Sequence, residues 1–396
     1  MTPNAPPTCA AASPATATRP KPAASPRGGP APTGETLRDA TGDSTRRDVV
    51  VVLMAGGFGT RFWPLGTADQ PKQFLTALAG RSLYRQAAER ARAIVPWDRI
   101  LVMTNAAHVG LVREQTPEVP EANVIGEPMR RDTAAAVILA ALVAERRFPG
   151  SILVTTPADH LVSNLDAFCR TVAAAVARAH LGGLGTISIR PTYPATGFGY
   201  LRLARRPGEA EPVRVLEFVE KPDAPRAARF VASGEYLWNA GMFIWKAGTL
   251  LEAARQLLPD VSAALEPLAE SAGSPAFAER ARQAFQSLRA ISVDYGIMEK
   301  ARDVWSVPAT FDWSDVGGWL AASDLLPADA DGNCVRGSVL LDAATGNIVV
   351  AGASRPVLVV GVKDCVIVEG PGGILVCDKS HAECIKPLVE KILAYK

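Results

Sequence analysis

The chain has 396 residues, 48% of them apolar and 21% charged, which is ordinary for a soluble globular protein with two or three domains. Its 42 Lys and Arg residues nearly balance 40 Asp and Glu residues, and the net charge of +2 favours neither nucleic acid nor an anionic membrane as a partner. No apolar stretch reaches the roughly 18 residues of a membrane span, so we expect no membrane segment. Six scattered cysteines form no CxxC pair or zinc-like cluster, which is typical of a cytoplasmic protein.

Composition divides the chain into three segments. Residues 1–47 are rich in Pro, Ala, Ser, Thr and Gly and contain no aromatic residue, which predicts a disordered tail that cannot bury enough apolar surface to fold. Residues 48–326 carry the long apolar elements and are predicted to form the catalytic domain. Residues 327–396 have short valine-rich runs between Gly and Asp turns, which predict a small all-β unit closed by a helix over residues 381–395. No clean short-period repeat is visible there, so the pattern leaves a regular β-solenoid open without predicting it.

The second segment begins with a strand over residues 49–54, whose β-branched run suits burial on both faces of a parallel sheet. Further strands are predicted at residues 100–104, 123–126 and 152–156, and helices at residues 82–95, 106–115 and 133–147. This alternation predicts an α/β fold with an open sheet whose ligands bind beyond the carboxyl ends of the strands. The loops after Met54, Gly126 and Thr156 should therefore lie together along the edge of the sheet formed by these carboxyl ends, which we call the rim.

From residue 184 the regular alternation of strands and helices is lost. The mixed pattern predicts an insertion that completes the sheet and forms one wall of the ligand cleft. Its predicted strands lie at residues 185–189, 213–219, 241–245 and 304–308. Its predicted helices lie at residues 225–233, 247–258 and 276–288.

The first candidate site directly follows the strand over residues 49–54. Three glycines there can expose backbone N–H groups around a polyphosphate without obstruction by a Cβ atom. They are Gly56, Gly57 and Gly59. Arg61 offers a planar fork for phosphate oxygens, and Lys72 adds a mobile positive charge. No Gly-Lys-Ser/Thr follows, which excludes a Walker A loop, and Phe62 breaks the dinucleotide fingerprint at its third glycine. Without further information, the same residues could also form a tight strand-to-helix turn with Arg61 and Lys72 as surface cations.

Residues 55–74 resemble the signature loop of the nucleotide-diphosphate-sugar pyrophosphorylases, G-G-x-G-x-R-x-x-P-L followed by P-K. The Phe-Trp-Pro-Leu and Pro-Lys-Gln-Phe variants are similar to the guanylyltransferase branch that acts on mannose 1-phosphate, and the likeness continues through most of residues 48–319. The resemblance implies an α/β, Rossmann-like nucleotidyltransferase with a mixed, mostly parallel sheet and a small C-terminal all-β unit. It implies that Arg61 contacts the departing pyrophosphate and Lys72 the reacting phosphates. The residues that it assigns to the nucleotide are Ala55, Gly56, Gly57 and Gly59.

A carboxylate follows the strand over residues 152–156 and is suited to hold Mg²⁺ on the phosphate-facing rim. The resemblance assigns Asp159 and Asp315 to this metal, a pairing that their spacing alone does not predict. Asp312 ranks below Asp315 as a ligand, and His160 is expected beside the metal rather than on it. The residues alone leave open a helix N-cap for Asp159 and a turn for Asp315.

Four short segments resemble the sugar-binding side of the family. They are residues 196–200 (T-G-F-G-Y), 219–222 (V-E-K-P), 238–242 (containing N-A-G) and 292–299 (S-V-D-Y-x-x-M-E). The resemblance implies that Gly199 approaches the hexose, Glu220 its hydroxyls and Lys221 its phosphate. Asn239 could bind a sugar hydroxyl as donor and acceptor, and Asp294 could line the pocket. Without the resemblance, Glu220–Lys221 would be a surface salt bridge and Asn239 a turn residue; a helix N-cap stays open for Asp294.

Residues 126–136 resemble the guanine-side motif E-P-x-x-[KR]-N-T-A-x-A. A Glu127 carboxylate can accept hydrogen bonds from guanine N1–H and N2–H₂. Thr133 is assigned to the nucleotide with it. Asp132 stands where the family commonly has Asn, which leaves open whether this position contacts nucleotide or caps the following helix.

The resemblance implies an Mg²⁺-assisted transfer of GMP from GTP to mannose 1-phosphate, with GDP-mannose and pyrophosphate as products. It also suggests a homodimer formed through the C-terminal part. That part is shorter than the isomerase domain of bifunctional relatives, so transferase activity alone is expected. Two alternatives stay open: the same chemistry on another sugar 1-phosphate or nucleotide, and a non-catalytic homologue that binds nucleotide sugars as a regulator.

Overall fold

A computed structural model describes residues 48–57, 60–77, 80–208, 210–272, 274, 276–352 and 355–394. The predicted tail and the predicted nucleotide contact of Gly59 lie outside these residues. Within the described ranges, no helix is both long and apolar enough to cross a membrane.

Residues 48–326 are built around a nine-stranded mixed sheet with the order β3-β2-β1-β4-β9-β6-β10-β8-β7. The strands of this part, including a separate two-stranded pair, are β1 (Val49–Ala55), β2 (Ile100–Asn105), β3 (Val124–Glu127), β4 (Ile152–Pro157), β5 (Leu161–Val162), β6 (Leu184–Ile189), β7 (Gly199–Leu203), β8 (Val213–Glu220), β9 (Tyr236–Lys246), β10 (Val304–Pro308) and β11 (Trp313–Ser314). Strands β1 to β4 pair in parallel, whereas β9 runs antiparallel to both β4 and β6. The predicted parallel half is therefore present, and β9 joins it to a mostly antiparallel half.

Helices cover both faces of the sheet, as the alternating side chains of β1 require. Val50 and Val52 belong to a core on one face of the sheet, whereas Val49 and Val51 belong to a core on the other face, and helices contribute to both. The helices are α1 (Leu83–Ile94), α2 (Val109–Gln115), α3 (Asp132–Arg147), α4 (Leu165–Ala179), α5 (Ala224–Ser233), α6 (Ala247–Leu257), α7 (Pro259–Leu265), α8 (Phe277–Ser287), α9 (Trp319–Ala322) and α10 (Lys386–Ala394).

Two regions differ from the sequence-based expectation. Residues 199–203, for which no strand was predicted, form strand β7 and pair with both β8 and β9. Strand β9 begins at Tyr236, five residues before its predicted start, so Asn239 lies within a strand at a register shift and not in a turn.

The C-terminal part contains β12 (Cys334–Arg336), β13 (Val339–Asp342), β14 (Ile348–Val350), β15 (Val357–Val360), β16 (Cys365–Gly370) and β17 (Gly373–Asp378). Strands β12, β14 and β16 stack in parallel, as do β13 and β15, so successive turns of the chain form a parallel coil. The sequence did not predict this coil, because the two steps that link Cys334 to Ile348 and Ile348 to Val366 have different lengths. Strand β17 closes the coil antiparallel to β16, and a 3₁₀ segment (Lys379–Cys384) leads into α10.

The C-terminal part packs directly on the loop that follows β1. Phe62, Trp63 and Trp319 share one apolar cluster with β-coil residues such as Val366 and Val368. The indole N–H of Trp319 donates to the Trp63 carbonyl at 3.1 Å. The Gly372 N–H, in the β16–β17 turn, donates to the Pro64 carbonyl at 3.0 Å. The coil therefore braces the loop that carries Arg61 and leads to Lys72.

Candidate active site

A cavity of about 360 Å³ lies at the carboxyl ends of β1, β3 and β4, on the predicted rim. Ten of the predicted site residues line it: Gly56, Gly57, Glu127, Thr133, Asp159, Gly199, Glu220, Asn239, Asp294 and Asp315. Lys72 and Lys221 are not among the lining residues, but each forms a salt bridge with one of them. Arg61 is exposed and does not line the cavity, so its contact with pyrophosphate stays a prediction.

The phosphate end of the cavity is organised by Lys72, which is buried. Its Nζ donates to Asp159 Oδ2 at 2.9 Å and to the backbone carbonyl of Asp315 at 2.6 Å. Burial raises the pKa of the Asp159 carboxyl, but the charge and hydrogen bond of Lys72 outweigh this effect and leave the pKa below its usual range. Asp159 is therefore held as a carboxylate beside the glycine loop.

A two-stranded sheet brings the two aspartates together across a long stretch of chain. Strand β5 directly follows Asp159–His160, strand β11 directly precedes Asp315, and the strands pair antiparallel with Trp313 opposite Val162. Asp312, the competing carboxylate, accepts a hydrogen bond from the Ser163 hydroxyl at 3.2 Å. Asp312 thus fastens the outer end of this pair, and it does not line the cavity.

The loop after β1 is held from behind by Gln73, to which the sequence assigned no role. Its amide Nε2 donates to the carbonyl of Ala55 at 2.9 Å, and the Thr104 hydroxyl donates to the same carbonyl. Ala55 consequently serves as an anchor, and it does not line the cavity. Gly57 adopts φ of 114°, a conformation that favours glycine, so the turn after Ala55 requires a glycine there.

At the sugar end, Glu220 is buried and pairs with Lys221 through Oε1 at 3.0 Å. Its Oε2 is buried and has no hydrogen-bond partner among the described residues. Gly199 lies opposite Glu220 across β7 and β8, and a Cβ atom on Gly199 would come within 2.6 Å of that Oε2. The glycine therefore makes room for the Glu220 carboxylate, a role that the sequence motif did not reveal.

Asn239 and Asp294 complete the sugar end. The Asn239 amide donates to Asp294 Oδ1 at 2.8 Å, and its Oδ1 accepts from the Thr186 hydroxyl at 2.7 Å. Asn239 thus orients Asp294, which begins a short π-helical segment (Asp294–Met298). Burial raises the pKa of the carboxyls of Glu220 and Asp294, and their mutual repulsion raises that of Glu220 further.

The predicted base end carries Glu127 at the last position of β3. Its Oε1 is buried without a partner among the described residues, and burial raises its pKa to about 8. Asp132, the first residue of α3, has φ of 62°, accepts the Thr133 N–H through Oδ1 and lines the cavity. The Thr133 hydroxyl accepts the Val293 N–H and ties α3 to the sugar end. Arg131 also lines the cavity, and its Nε donates to the carbonyl of Phe285 at 2.6 Å.

Four aromatic side chains of the cavity wall received no substrate role from the sequence. They are Phe198, His160, Phe243 and Trp313. The sequence showed Phe198 only as part of the T-G-F-G-Y segment, because an aromatic residue beside a glycine or an aspartate is not by itself a functional signal.

The fold and this cavity together are those of a nucleotidyltransferase. Residues 50–331 match the family model described as nucleotidyl transferase, and residues 338–392 match the MannoseP isomerase/GMP-like beta-helix domain. The chain is 38% identical to the mannose-1-phosphate guanylyltransferase of Escherichia coli K12, over 87% of this chain and 73% of that protein. It is 36% identical, with the same coverage, to the xanthan biosynthesis protein XanB of Xanthomonas campestris pv. campestris B100.

A solved structure agrees with these matches. The Thermus thermophilus protein described as mannose-1-phosphate geranyltransferase superposes with a TM-score of 0.77 at 33% identity, over 87% of this chain and 99% of that one. The chain belongs to the nucleotidyl transferase family and, within it, to the mannose-1-phosphate guanylyltransferases. The predicted family, enzyme class and fold class are thereby confirmed.

Proposed function

We propose that this chain transfers GMP from GTP to mannose 1-phosphate, forming GDP-mannose and releasing pyrophosphate. The observation that carries the proposal is the division of one cavity into two charged ends. Asp159 and Asp315 converge on Lys72 beside the glycine loop, and Glu220 and Asp294 face them from the other end. A nucleoside triphosphate and a sugar phosphate need such a pair of opposed sites.

The reaction is an in-line displacement at the α-phosphorus of GTP. A phosphate oxygen of mannose 1-phosphate forms the new bond, and the bond from the α-phosphorus to the bridging oxygen of pyrophosphate breaks. The second pKa of a phosphate monoester lies near 6, so the attacking oxygen is ionised at neutral pH and needs no protein base. The protein's task is to align two anions that repel each other and to offset the charge that develops.

Each charged group has a defined part in this scheme. Lys72 and the backbone N–H groups of Gly56 and Gly57 hold the phosphates of GTP, and Arg61 contacts the departing pyrophosphate. Lys221 binds the phosphate of mannose 1-phosphate. Glu220 and Asp294 accept hydrogen bonds from its hydroxyls, which is supported by the buried and unpartnered Oε2 of Glu220 among the described residues.

Mg²⁺ fits the donor set at the phosphate end. The described residues contain no group of three or more His, Cys, Asp or Glu that could hold a metal ion. Asp159 and Asp315 do supply two carboxylates, and Mg²⁺ is commonly bound by one or two carboxylates together with waters and substrate phosphates. We propose that these two residues hold Mg²⁺, which when bound neutralises charge on the reacting phosphates.

Guanine selection is assigned to Glu127. A carboxylate can accept from both N1–H and N2–H₂ of guanine, whereas adenine lacks this pair of donors. The buried Oε1 without a partner among the described residues supports the assignment, because a buried acceptor gains most from a ligand that satisfies it.

A substrate panel tests the proposal. The purified chain is assayed for pyrophosphate release with GTP, ATP, UTP and dTTP against mannose, glucose and galactose 1-phosphates, with Mg²⁺ and with EDTA. We expect GTP with mannose 1-phosphate to give the highest kcat/KM and EDTA to abolish turnover. A preference for another pair would reassign the substrates. Binding of GDP-mannose without turnover of any pair would identify a regulatory homologue.

We further propose that the protein acts in the cytoplasm as a homodimer formed through the C-terminal coil. Cys334, Cys365 and Cys377 carry free thiols, as expected in a reducing compartment. Leu340 and Leu358 pair across β13 and β15 and are 67% and 65% exposed, and exposed apolar patches often mark protein interfaces. Sedimentation velocity should give a dimer for the wild type and a monomer for Leu340→Lys. A wild-type monomer would contradict this assignment without affecting the reaction.

A further inference from the structure

Trp313 lies between the two ends of the cavity. It belongs to the short strand β11, two residues before Asp315, and it lines the cavity together with His160 and Phe198. It is only partly buried, unlike the fully buried Trp245, Trp305 and Trp319. A tryptophan that served the core alone would be enclosed as these three are.

One side of Trp313 holds His160. The indole N–H donates to Nδ1 of His160 at 3.1 Å, and the two rings meet edge to face with their centroids 5.3 Å apart. Because Nδ1 accepts this hydrogen bond, the proton of the neutral ring is on Nε2, which lies 3.7 Å from Asp159 Oδ1. The indole thus fixes both the orientation of the imidazole and the atom that it presents to Asp159.

The other side of Trp313 supports the sugar loop. Its ring meets that of Phe198 edge to face at 5.3 Å, and Phe198 packs in turn on Trp238 at 5.1 Å. The carbonyl of Phe198 accepts the Lys221 N–H at 3.2 Å. Phe198, which directly precedes Gly199 in sequence, therefore holds the backbone of the lysine assigned to the sugar phosphate.

We propose that Trp313 is a positioning residue that couples the sugar loop to the Asp159–Asp315 carboxylates. Its hydrogen bond to His160 keeps Asp159 oriented toward the divalent cation, and its ring keeps Phe198 and the loop before Gly199 in place. The proposal rests on the proposed function, because it assumes Mg²⁺ at the phosphate end and mannose 1-phosphate at the sugar end. Trp313 itself need not contact either one.

The two contacts can be broken separately. Trp313→Phe keeps an aromatic ring against Phe198 and removes the hydrogen bond to His160. Phe198→Leu keeps the hydrogen bond and removes the ring contact. Trp305→Phe is the matched control, because the Trp305 indole also donates a hydrogen bond, to the Gly182 carbonyl at 3.2 Å, and Trp305 does not line the cavity.

The first measurement is the rise in unfolding temperature that Mg²⁺ produces in the presence of GDP-mannose, followed as a function of Mg²⁺ concentration. We expect the half-saturating concentration to increase about threefold or more in Trp313→Phe, as for the loss of one hydrogen bond, and to stay at the wild-type value in Trp305→Phe and Phe198→Leu.

The second measurement is the steady-state KM for mannose 1-phosphate, for which the two variants should exchange their behaviour. This KM should rise in Phe198→Leu and stay nearly unchanged in Trp313→Phe. Trp313→Leu should change both quantities.

A double-mutant cycle separates this role from a loss of packing. His160→Phe removes the acceptor, so it should shift the Mg²⁺ response as Trp313→Phe does, and the double variant should be no worse than either single variant. Equal Mg²⁺ responses of Trp313→Phe and wild type, or additive effects in the cycle, would overturn the proposal for Trp313 alone. A wild-type protein that shows no Mg²⁺ response with GDP-mannose would overturn the metal assignment, and the coupling with it.

Discussion

The phosphate end and the sugar end of the cavity both contain a pair of acidic residues and a lysine, yet their electrostatics differ. At the phosphate end, Lys72 is buried and bonds to both Asp159 and the Asp315 backbone, while the Asp159 side chain keeps 34% of its surface exposed. At the sugar end the burial is reversed, since Glu220 is buried and Lys221 is about half exposed.

This reversal separates two tasks. The buried Lys72 beside the partly exposed Asp159 keeps that carboxylate ionised, which suits a divalent ion and phosphate oxygens. Buried carboxyls with raised pKa values, one of them lacking a partner for Oε2 among the described residues, suit the neutral hydroxyl donors of a sugar. The phosphate end is suited to charged ligand groups, and the sugar end is suited to neutral hydrogen-bond donors. Substitutions at the two ends should therefore change different kinetic constants.

The largest effect is expected from Asp315→Asn, which keeps the shape of the side chain and the backbone carbonyl that Lys72 uses. Loss of one carboxylate weakens the site for Mg²⁺ at the phosphate end, so kcat should fall about a thousandfold with the fold intact. The measurement is pyrophosphate release at saturating substrates over a range of Mg²⁺ concentrations, with the unfolding temperature as a check on folding.

Asp312→Asn is the matched control for that change. Asp312 lies three residues away and accepts a hydrogen bond from Ser163, which an asparagine oxygen can also accept. Its kcat should stay close to the wild-type value. A near-normal rate for Asp315→Asn at high Mg²⁺ would remove Asp315 from the metal site and abolish the contrast between the two ends.

A smaller effect, confined to the sugar end, is expected from Gly199→Ala. The new Cβ would come within 2.6 Å of Glu220 Oε2, so the carboxylate must move. The KM for mannose 1-phosphate should rise about tenfold or more, as for a lost hydrogen bond to a charged group, while the KM for GTP changes little. Gly248→Ala is the control, since Gly248 does not line the cavity and a Cβ there meets nothing within 4 Å among the described residues. Equal KM values for the two variants would show that Glu220 does not bind the sugar.

The base position can be tested by pH. Because burial raises the pKa of Glu127 to about 8, its carboxyl is protonated in the free protein at lower pH. Guanine needs the ionised form as acceptor, so GTP binding must expel a proton below that pKa. The KM for GTP should therefore fall as the pH rises from about 6.5 to about 8, by at most about tenfold per unit, and level off above. Glu127→Gln should bind GTP more weakly without this pH trend. The same trend in the variant would assign it to another group.

The sequence predicted the first half of the sheet well, and for a physical reason. Strands β1, β2 and β4 are buried almost throughout on both faces, so each begins with an apolar run that is distinct from the helices around it. The rim and the glycine loop follow directly from the ends of these strands. Strand β7 was missed because it begins at a glycine of a binding motif, and β9 was predicted too short because Asn239 interrupts its apolar pattern.

The contacts that join distant residues could not be predicted in the same way. The pairing of β5 with β11, which brings Asp159 to Asp315, involves two residues on each side and therefore has no periodicity to read. Gly199 was identified from its motif, but its reason, the close approach of Glu220, depends on the register of β7 and β8. Arg131 shows the opposite case. It belongs to a predicted binding motif, but its guanidinium donates hydrogen bonds to the carbonyls of Phe285 and Gln286 at the end of α8.

The smallest effect is expected where the C-terminal coil supports the phosphate end. A Cβ on Gly372 would lie 2.7 Å from Trp63 Nε1 and 3.0 Å from the Pro64 carbonyl, so Gly372→Ala must shift the coil or the loop. The loop is linked to Lys72 through Phe62, whose ring lies 5.8 Å from Nζ and packs on Trp319 at 5.2 Å. We expect a loss of about 1–3 kcal/mol in unfolding free energy, measured by urea denaturation, and a severalfold rise in the KM for GTP. The KM for mannose 1-phosphate should not change, because Glu220 and Asp294 do not belong to the apolar cluster that Trp63 and Trp319 share with the coil.

Gly110→Ala, at a helical glycine whose Cβ would meet nothing within 4 Å among the described residues, controls for a general effect of alanine. If Gly372→Ala raised both KM values equally, the coil would support the whole cavity, and the independence of the two ends would be wrong.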